Sequence, residues 1–427
     1  MRGSMILRNL PGNTRMRAVF LAAAITIAPF VTAYSQTSLQ TPGGLPATSP
    51  GPARSDKPST SGQAQTSPAG QPGSSGSISL TFASDLPASA RPIFDVRKFL
   101  EADMVQRLSP GAARLDWKTV TPGKDGVPPD AFDAASSGDA DFVLAHVVHS
   151  QQRMPLLQVA FQAPFSGASA AQMARVMAGV FDQVPEMRQS FLRRNQVLLA
   201  LVASGEYILA TKFPVTGLAS LKGRKIGVPP AAVGWIEGTG ATAVLAEPRG
   251  YAKGLATGAY DGLFVAASDI VDMKLTGFAH VTRVGMGAMP GFAIAYNKQQ
   301  WESLPGNVRD ALSSAFRAYQ DRMGDNRVRS EDKLFEALAE SGLKVAVLPA
   351  EDRKLWASRL PDIPAQWPAA IRKSQQPAEA VMRIYLDELT RQKTDMMRQW
   401  RIVSPPAKKS GKAQDDTPAE PAGGKVQ

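Results

Sequence analysis

Short strand-like segments alternate with helical ones from Ser77 almost to Trp400. That pattern restricts the chain to an α/β fold. Ile78, Leu80 and Phe82 alternate with Ser77, Ser79 and Thr81, the period-two pattern of a strand. Pro92 to Arg107 follows as a helix, and Asp116 to Val120 as a second strand. A short helix from Ala131 to Ser136 leads into the strand Phe142 to Ala145. Ala170 to Phe191 reads as a helix interrupted at Pro185, whose ring removes a backbone donor. Val197 to Val202 and Glu206 to Thr211 read as two strands separated by Gly205. The strand Lys225 to Val228 precedes a helix starting at Ala231. Tyr251 to Thr257 is a helix ended by Gly258. Leu263 to Val265, His280 to Thr282 and Phe292 to Ala295 are strand-like, with a helix from Ser268 to Thr276 between the first two. A long helix from Asn307 to Ser341, broken near Gly324, precedes a last strand, Val345 to Leu348. Helical stretches from Ala350 to Leu360 and Ala378 to Trp400 close the fold. The expected arrangement is two α/β sheets facing across a cleft, with ligands beyond the carboxyl ends of strands.

The ends of the chain have a different composition. Arg2, Arg8, Arg15 and Arg17 precede an apolar run, Ala18 to Ala33, that contains Pro29. The run is shorter than the roughly 20 residues of a membrane span, and Ala33 and Ser35 suit a cleavage site. Residues 1–35 are therefore expected to be a signal peptide and the protein periplasmic; an uncleaved anchor is the alternative. Residues 36–76 are rich in Ser, Pro, Gly, Thr and Gln and predict a flexible tether, as does the tail 404–427. The globular part of the chain is expected over 77–403.

Composition excludes several chemistries. The chain of 427 residues has no cysteine and three histidines, His146, His149 and His280. Disulfides, thiolate metal sites and cysteine nucleophiles are therefore ruled out, and no cofactor is called for. The formal charge of +11 is spread along the chain without an aromatic-interleaved basic block, so nucleic acid is not expected as a partner. There is no phosphate-binding loop, dinucleotide fingerprint, G-x-S-x-G elbow or H-E-x-x-H. His146 and His149 are expected to be partly buried around a strand end, and Asp139 and Asp141 to cap and turn the chain. The chain is not expected to be an enzyme.

Three local patterns add a resemblance. They are Pro214-Val-Thr-Gly-Leu-Ala-Ser-Leu-Lys-Gly-Arg-Lys-Ile-Gly-Val228, Tyr251-Ala-Lys-Gly-Leu-Ala-Thr-Gly-Ala-Tyr-Asp-Gly262 and Tyr296-Asn-Lys-Gln-Gln-Trp-Glu-Ser-Leu-Pro305. In order and spacing the set resembles the solute-binding proteins of tripartite ATP-independent periplasmic (TRAP) transporters, of the C4-dicarboxylate-binding type. The family stretches are of the form "DLKGLKIRV", "VYxALQTGVVDG" and "xNxxxWxxLP". The resemblance implies a type II periplasmic binding-protein fold, two α/β lobes that hinge around a ligand, a long connecting helix, and delivery of a small organic solute to membrane permease subunits. It places lobe 1 at about 77–204 and 291–330, lobe 2 at about 205–290, and C-terminal helices at about 331–403.

The departures bear on the ligand. The family's anchor is the arginine of "KIRV", whose planar guanidinium pairs with a ligand carboxylate. Gly227 stands there in this chain. A second basic position falls at Tyr207, and the polar pair after "DGQ" at Phe264 and Val265. Arg224 is an odd number of residues from Gly227, so on a strand it points to the opposite face. Asp261 is expected to be structural, and Trp301 to anchor the start of the long helix. The expected ligand contacts are Asp85, in the turn after the first strand, with Tyr207, Gly227, Trp235, Phe264 and Val265. Two readings stay open: a receptor for a less acidic, more apolar or aromatic solute, or a degenerate receptor with a sensor or structural role in the envelope.

Overall fold

The computed structural model describes residues 78–86, 90–107, 115–127 and 129–402. The expected signal peptide, tether and tail lie outside the described residues. Among the described residues nine strands form one sheet: β1 (Ile78–Ser84), β2 (Leu115–Val120), β3 (Phe142–His146), β4 (Gln196–Thr211), β5 (Lys225–Val228), β6 (Thr242–Leu245), β7 (Gly262–Ala266), β8 (His280–Asn297) and β9 (Lys344–Val347). The α-helices of the described residues are α1 (Arg91–Arg107), α2 (Ala131–Ser137), α3 (Ala170–Gln183), α4 (Pro185–Leu192), α5 (Tyr251–Thr257), α6 (Ala267–Asp272), α7 (Lys298–Ser303), α8 (Gly306–Glu340), α9 (Ala350–Arg359), α10 (Ile363–Ala370) and α11 (Ala378–Arg391).

The strand order is β2-β1-β3-β8-β4-β7-β5-β6, with β9 on the free side of β8. A first half, β2-β1-β3, is parallel within itself, and so is a second half, β7-β5-β6. The antiparallel pair β4 and β8 joins them. The expectation of two separate sheets is corrected here. β4 and β8 run 16 and 18 residues, so each is long enough to serve both halves. One end of β8 pairs with β3, and the other with β9. The segments expected as four short strands are therefore the ends of two long ones. Gly205 lies in a run of register shifts between β4 and β8 and does not end the strand.

The long helix α8 supplies what those irregularities leave open. Gln320 accepts from the backbone N–H of Leu201 (2.7 Å), and Glu331 from that of Glu206 (2.8 Å). Both donors belong to β4, where the ladder is irregular. Buried backbone donors need a partner, and the helix provides it. The helix is continuous through Gly324, where the sequence suggested a break, and across residues 330 and 331. Gly324 packs close to Ala171 and Ala174 of α3, so its small size serves helix contact.

Other boundaries shift for local reasons. Pro185 ends α3 and opens α4 as its first residue, the position a helix tolerates. The segment Pro230–Ile236 is a 3-10 turn rather than the start of an α-helix. The last helical stretch ends at Arg391, and the chain continues to Trp400 without regular structure. Strand β6 and helix α10 carry no periodic signal and were not expected. β6 is an edge strand with every residue partly or fully exposed, so it lacks the alternation that marks a half-buried strand.

Candidate functional site

A cavity of about 640 Å³ opens between the two halves. The first half contributes Phe82, Ser84 and Asp85 at the end of β1, Ile93 from α1, and Thr119 to Lys124 from the last residues of β2 onward. The second half contributes Pro248, Arg249 and Ala252 around α5, with Met273 and Leu275 after α6. The cavity thus lies beyond the carboxyl ends of β1 and β2, as in other open α/β sheets.

Asp85 follows β1 directly and lines this cavity. Its carboxylate accepts from the backbone N–H of Ala131 (3.0 Å) and of His146 (3.3 Å), which ties β1 to α2 and β3. Burial, helped by the nearby charge of Asp130, pushes its pKa up to about 6; the two backbone donors and Arg249 pull the other way. Arg249 is exposed, and its guanidinium donates to the carbonyl of Pro122 (3.2 Å) in the opposite half. Lys124 is exposed on the same loop as Pro122. Gly123 between them has φ of +80°, a conformation that favours glycine.

The other expected contacts sit elsewhere. Tyr207, Trp235 and Phe264 are fully buried and do not line the cavity. Trp235 meets Tyr207 edge-on (5.5 Å between centroids), Phe264 edge-on (5.6 Å) and Phe161 in a stack (6.1 Å). Its indole N–H donates to the carbonyl of Phe161 (2.7 Å), and its own carbonyl accepts from Trp356 (2.7 Å). These rings fill the depth between the halves, where the sequence placed ligand contacts. Val265 faces the opposite side of β7, packed with Ile208, Tyr251 and Ile270. This is the strand alternation at work: Phe264 and Val265 cannot share a face.

Gly227 lies under the Tyr260 ring. A Cβ there would stand 3.0 Å from Leu263 and 3.2 Å from Tyr260. Tyr260 is itself fixed by donating to the carbonyls of Gly250 (3.1 Å) and Tyr251 (2.9 Å). The room an arginine side chain needs is taken by this ring. Arg224 is stacked on Phe213 (4.3 Å) and offers no replacement. Asp261 accepts from the backbone N–H of Lys225 (2.9 Å), holding the turn into β7. Trp301 packs on Tyr296 at 5.2 Å, on α7 just ahead of α8.

His146 and His149 belong to a buried polar cluster that crosses between the halves. Their rings stack at 5.1 Å. His146 Nε2 is 3.7 Å from Asp269 of α6, and His149 Nε2 is hydrogen-bonded to the Tyr251 hydroxyl of α5 (3.0 Å). Burial, with His146 adjacent, holds His149 well below the usual histidine range. Asp139 accepts from Ser137 (2.6 Å), and Asp141 accepts from the backbone N–H of Thr81, so both are structural. Among the described residues no group of three or more His, Asp and Glu has metal-site geometry.

The comparisons with known proteins accord with this architecture. The profile of DctP, bacterial extracellular solute-binding protein, family 7, matches residues 91–366, more than half of the chain. The chain belongs to this family. A curated relative, the C4-dicarboxylate-binding periplasmic protein DctP of Rhodobacter capsulatus, is 28% identical over 105 residues, which is 24% of this chain. The matched stretch spans about a third of that relative's length (32%). Among solved structures, a marine metagenome TRAP solute binding protein specific for aromatic acid ligands, from an unidentified microbe and crystallised with 3-hydroxybenzoate, has a TM-score of 0.65 at 20% identity. The likeness covers 75% of this chain and 99% of that one. DctP7 of Bordetella pertussis, an extracytoplasmic solute receptor binding pyroglutamic acid, has a TM-score of 0.59 at 18% identity over 74% of this chain and 100% of its own. These structures share the fold, a type II-like periplasmic binding-protein architecture. Among the described residues of this family 7 chain, no helix is long and apolar enough to cross a membrane.

Of the expected contacts, Asp85 lines this cavity; Arg249 and Lys124, which line it too, carry no signal in the sequence that singles them out. Arg249 follows β6, the strand without a periodic signal, so nothing placed it opposite β1. Tyr260 was hidden inside the second family pattern, where it reads as one more apolar helix-to-strand residue.

Proposed function

We propose that this family 7 chain is an extracytoplasmic receptor that captures a small organic solute, carboxylate-bearing or aromatic, and presents it to the permease subunits of a TRAP-type transporter. The observation that carries the proposal is the cavity of about 640 Å³ walled by both halves of the fold, a size and position suited to a small molecule. Relatives of the same fold bind 3-hydroxybenzoate and pyroglutamic acid, which sets the chemical range. The proposal includes export by residues 1–35, two lobes formed by the two halves, and no bond chemistry at the site.

A ligand that binds only the folded state raises its apparent stability. Purified protein without its first 35 residues is expected to show a rise in thermal midpoint with at least one member of a panel of aromatic acids, pyroglutamate, sugar acids and C4-dicarboxylates. At a ligand concentration of about 100 times Kd the gain is about 2.7 kcal/mol. A flat response across the panel would sink the receptor reading.

One observation favours a second reading. The depth between the halves is filled by Tyr207, Trp235, Phe161 and Phe264, and Gly227 stands where the family arginine belongs. A chain that had lost solute capture and kept an envelope role as a sensor partner or structural protein would look the same there. The two readings separate on the same panel.

A further inference from the structure

The outer cavity combines features that select a ligand class. Its apolar wall comes from Phe82, Leu86, Ile93, Val120, Met273 and Leu275. Its charged groups are the Arg249 guanidinium and the Lys124 ammonium at the rim and the Asp85 carboxyl farther in. With the depth between the halves filled by aromatic rings, this is the space left between them for a solute.

We propose that this cavity is the solute site and that it takes a monocarboxylate with an apolar body and one hydrogen-bond donor. The carboxylate lies on Arg249 with Lys124 beside it, the apolar body on the Phe82 and Met273 wall, and the donor on Asp85. This rests on the receptor reading above. The guanidinium suits the task because it donates two parallel hydrogen bonds to a carboxylate. Arg249 thereby takes over, from a different strand end, the role that Gly227 cannot fill. Asp85 has both oxygens engaged by backbone donors, yet each carboxylate oxygen has a second lone pair to accept from a ligand hydroxyl or amide. Asp85 also repels a second carboxylate, so the site discriminates against dicarboxylates of similar size. Arg249 already bridges to Pro122, so a carboxylate held there joins both halves at the rim.

The test is calorimetric titration of the exported chain with 3-hydroxybenzoate, 3-hydroxyphenylacetate and pyroglutamate, each with one carboxylate and one donor, and with succinate and benzoate for contrast. At least one of the first three is expected to bind at least tenfold more tightly than succinate. R249Q is expected to weaken that binding roughly tenfold or more, the size of a lost charge-assisted hydrogen bond. Arg249 is exposed, so an unchanged thermal midpoint shows that the variant folds. D85N is expected to erase the preference for 3-hydroxybenzoate over benzoate. R188Q, in the groove between α3 and α8 away from this cavity, is expected to bind as the unaltered chain does. Binding that survives R249Q unchanged overturns this site and leaves the receptor reading standing. Succinate binding more tightly than the three monocarboxylates overturns the ligand class. No binding by any of the five overturns this inference, while the receptor reading stands or falls on the wider panel that includes sugar acids.

Discussion

At the scale of single residues, Gly227 and Asp85 show how much depends on one neighbour. At Gly227 the Leu263 side chain and the Tyr260 ring together occupy the space a side chain would take. Gly227→Ala is expected to cost about 1–3 kcal/mol, the usual range for overpacking. In a Tyr260→Ala background the same change is expected to cost less, with the Leu263 contact remaining. A double-mutant cycle by urea denaturation measures the difference, and equal costs in both backgrounds would show that the ring is not the obstacle. Asp85 carries a pH signature. Its folded pKa of about 6 lies above its ordinary 3.8, so between those values the folded state binds more protons than the unfolded chain. Its contribution therefore falls as pH rises from about 4 through 6, by on the order of 3 kcal/mol for a shift of this size. Denaturation at pH 4, 5, 6 and 7 is expected to show this slope in the unaltered chain relative to Asp85→Asn. Parallel curves for the two proteins would contradict it. His149, held low by burial, acts in the opposite sense: its contribution is present above about 6.5 and is lost as pH falls.

Elements explain why the sheet is continuous. β4 and β8 carry several register shifts, and each shift leaves backbone groups without a ladder partner. Gln320 and Glu331 of α8 accept from two such donors, while Glu206 accepts from Arg283 (2.9 Å) and from the backbone N–H of Gly285 (2.8 Å). The helix is thus part of the sheet's hydrogen bonding as well as its apolar cover. Gln320→Leu is expected to destabilise by about 1–3 kcal/mol, because the Leu201 N–H is left without a partner. Chemical denaturation measures it, and hydrogen exchange at Leu201 is expected to speed up more than at Leu209, whose surroundings are unchanged. The elements themselves were largely legible beforehand. α5 matches its expected bounds, and most other elements are present with modest changes at their ends. The joins were not legible. A local pattern registers that Val197 and Thr211 sit in strands, and it does not register whether the strand between them bends or breaks. That depends on the acceptors α8 brings from more than 100 residues away.

At the scale of the molecule, the packing between the halves governs motion as well as stability. Phe161 of the first half stacks on Trp235 of the second, and the C-terminal segment closes over both through Trp356, whose indole N–H donates to the carbonyl of Trp235. Trp400 completes this layer. Its N–H donates to the carbonyl of Pro164 (2.8 Å), and Arg398 lies over its ring at 4.0 Å. Trp400→Ala is expected to cost about 3 kcal/mol, at the lower end for a buried tryptophan, read by thermal or urea unfolding. Because the halves already meet through a buried aromatic layer, solute binding in the outer cavity is expected to leave the small-angle scattering profile unchanged. A contraction on adding solute would show instead that the layer separates and that the halves hinge, as the resemblance implies.

The α/β class, the position of most elements and membership of a solute-binding family follow from local periodicity and from three short patterns. Such signals lie within a few turns of chain, where neighbours in sequence are neighbours in space. That Asp85 follows a strand end was legible for the same reason. The filled depth between the halves, the ring over Gly227 and the placing of Arg249 and Asp85 on one cavity are decided only by tertiary structure. Each depends on segments tens to hundreds of residues apart, and whether an aromatic side chain lines a cleft or fills it depends on what packs against its other face.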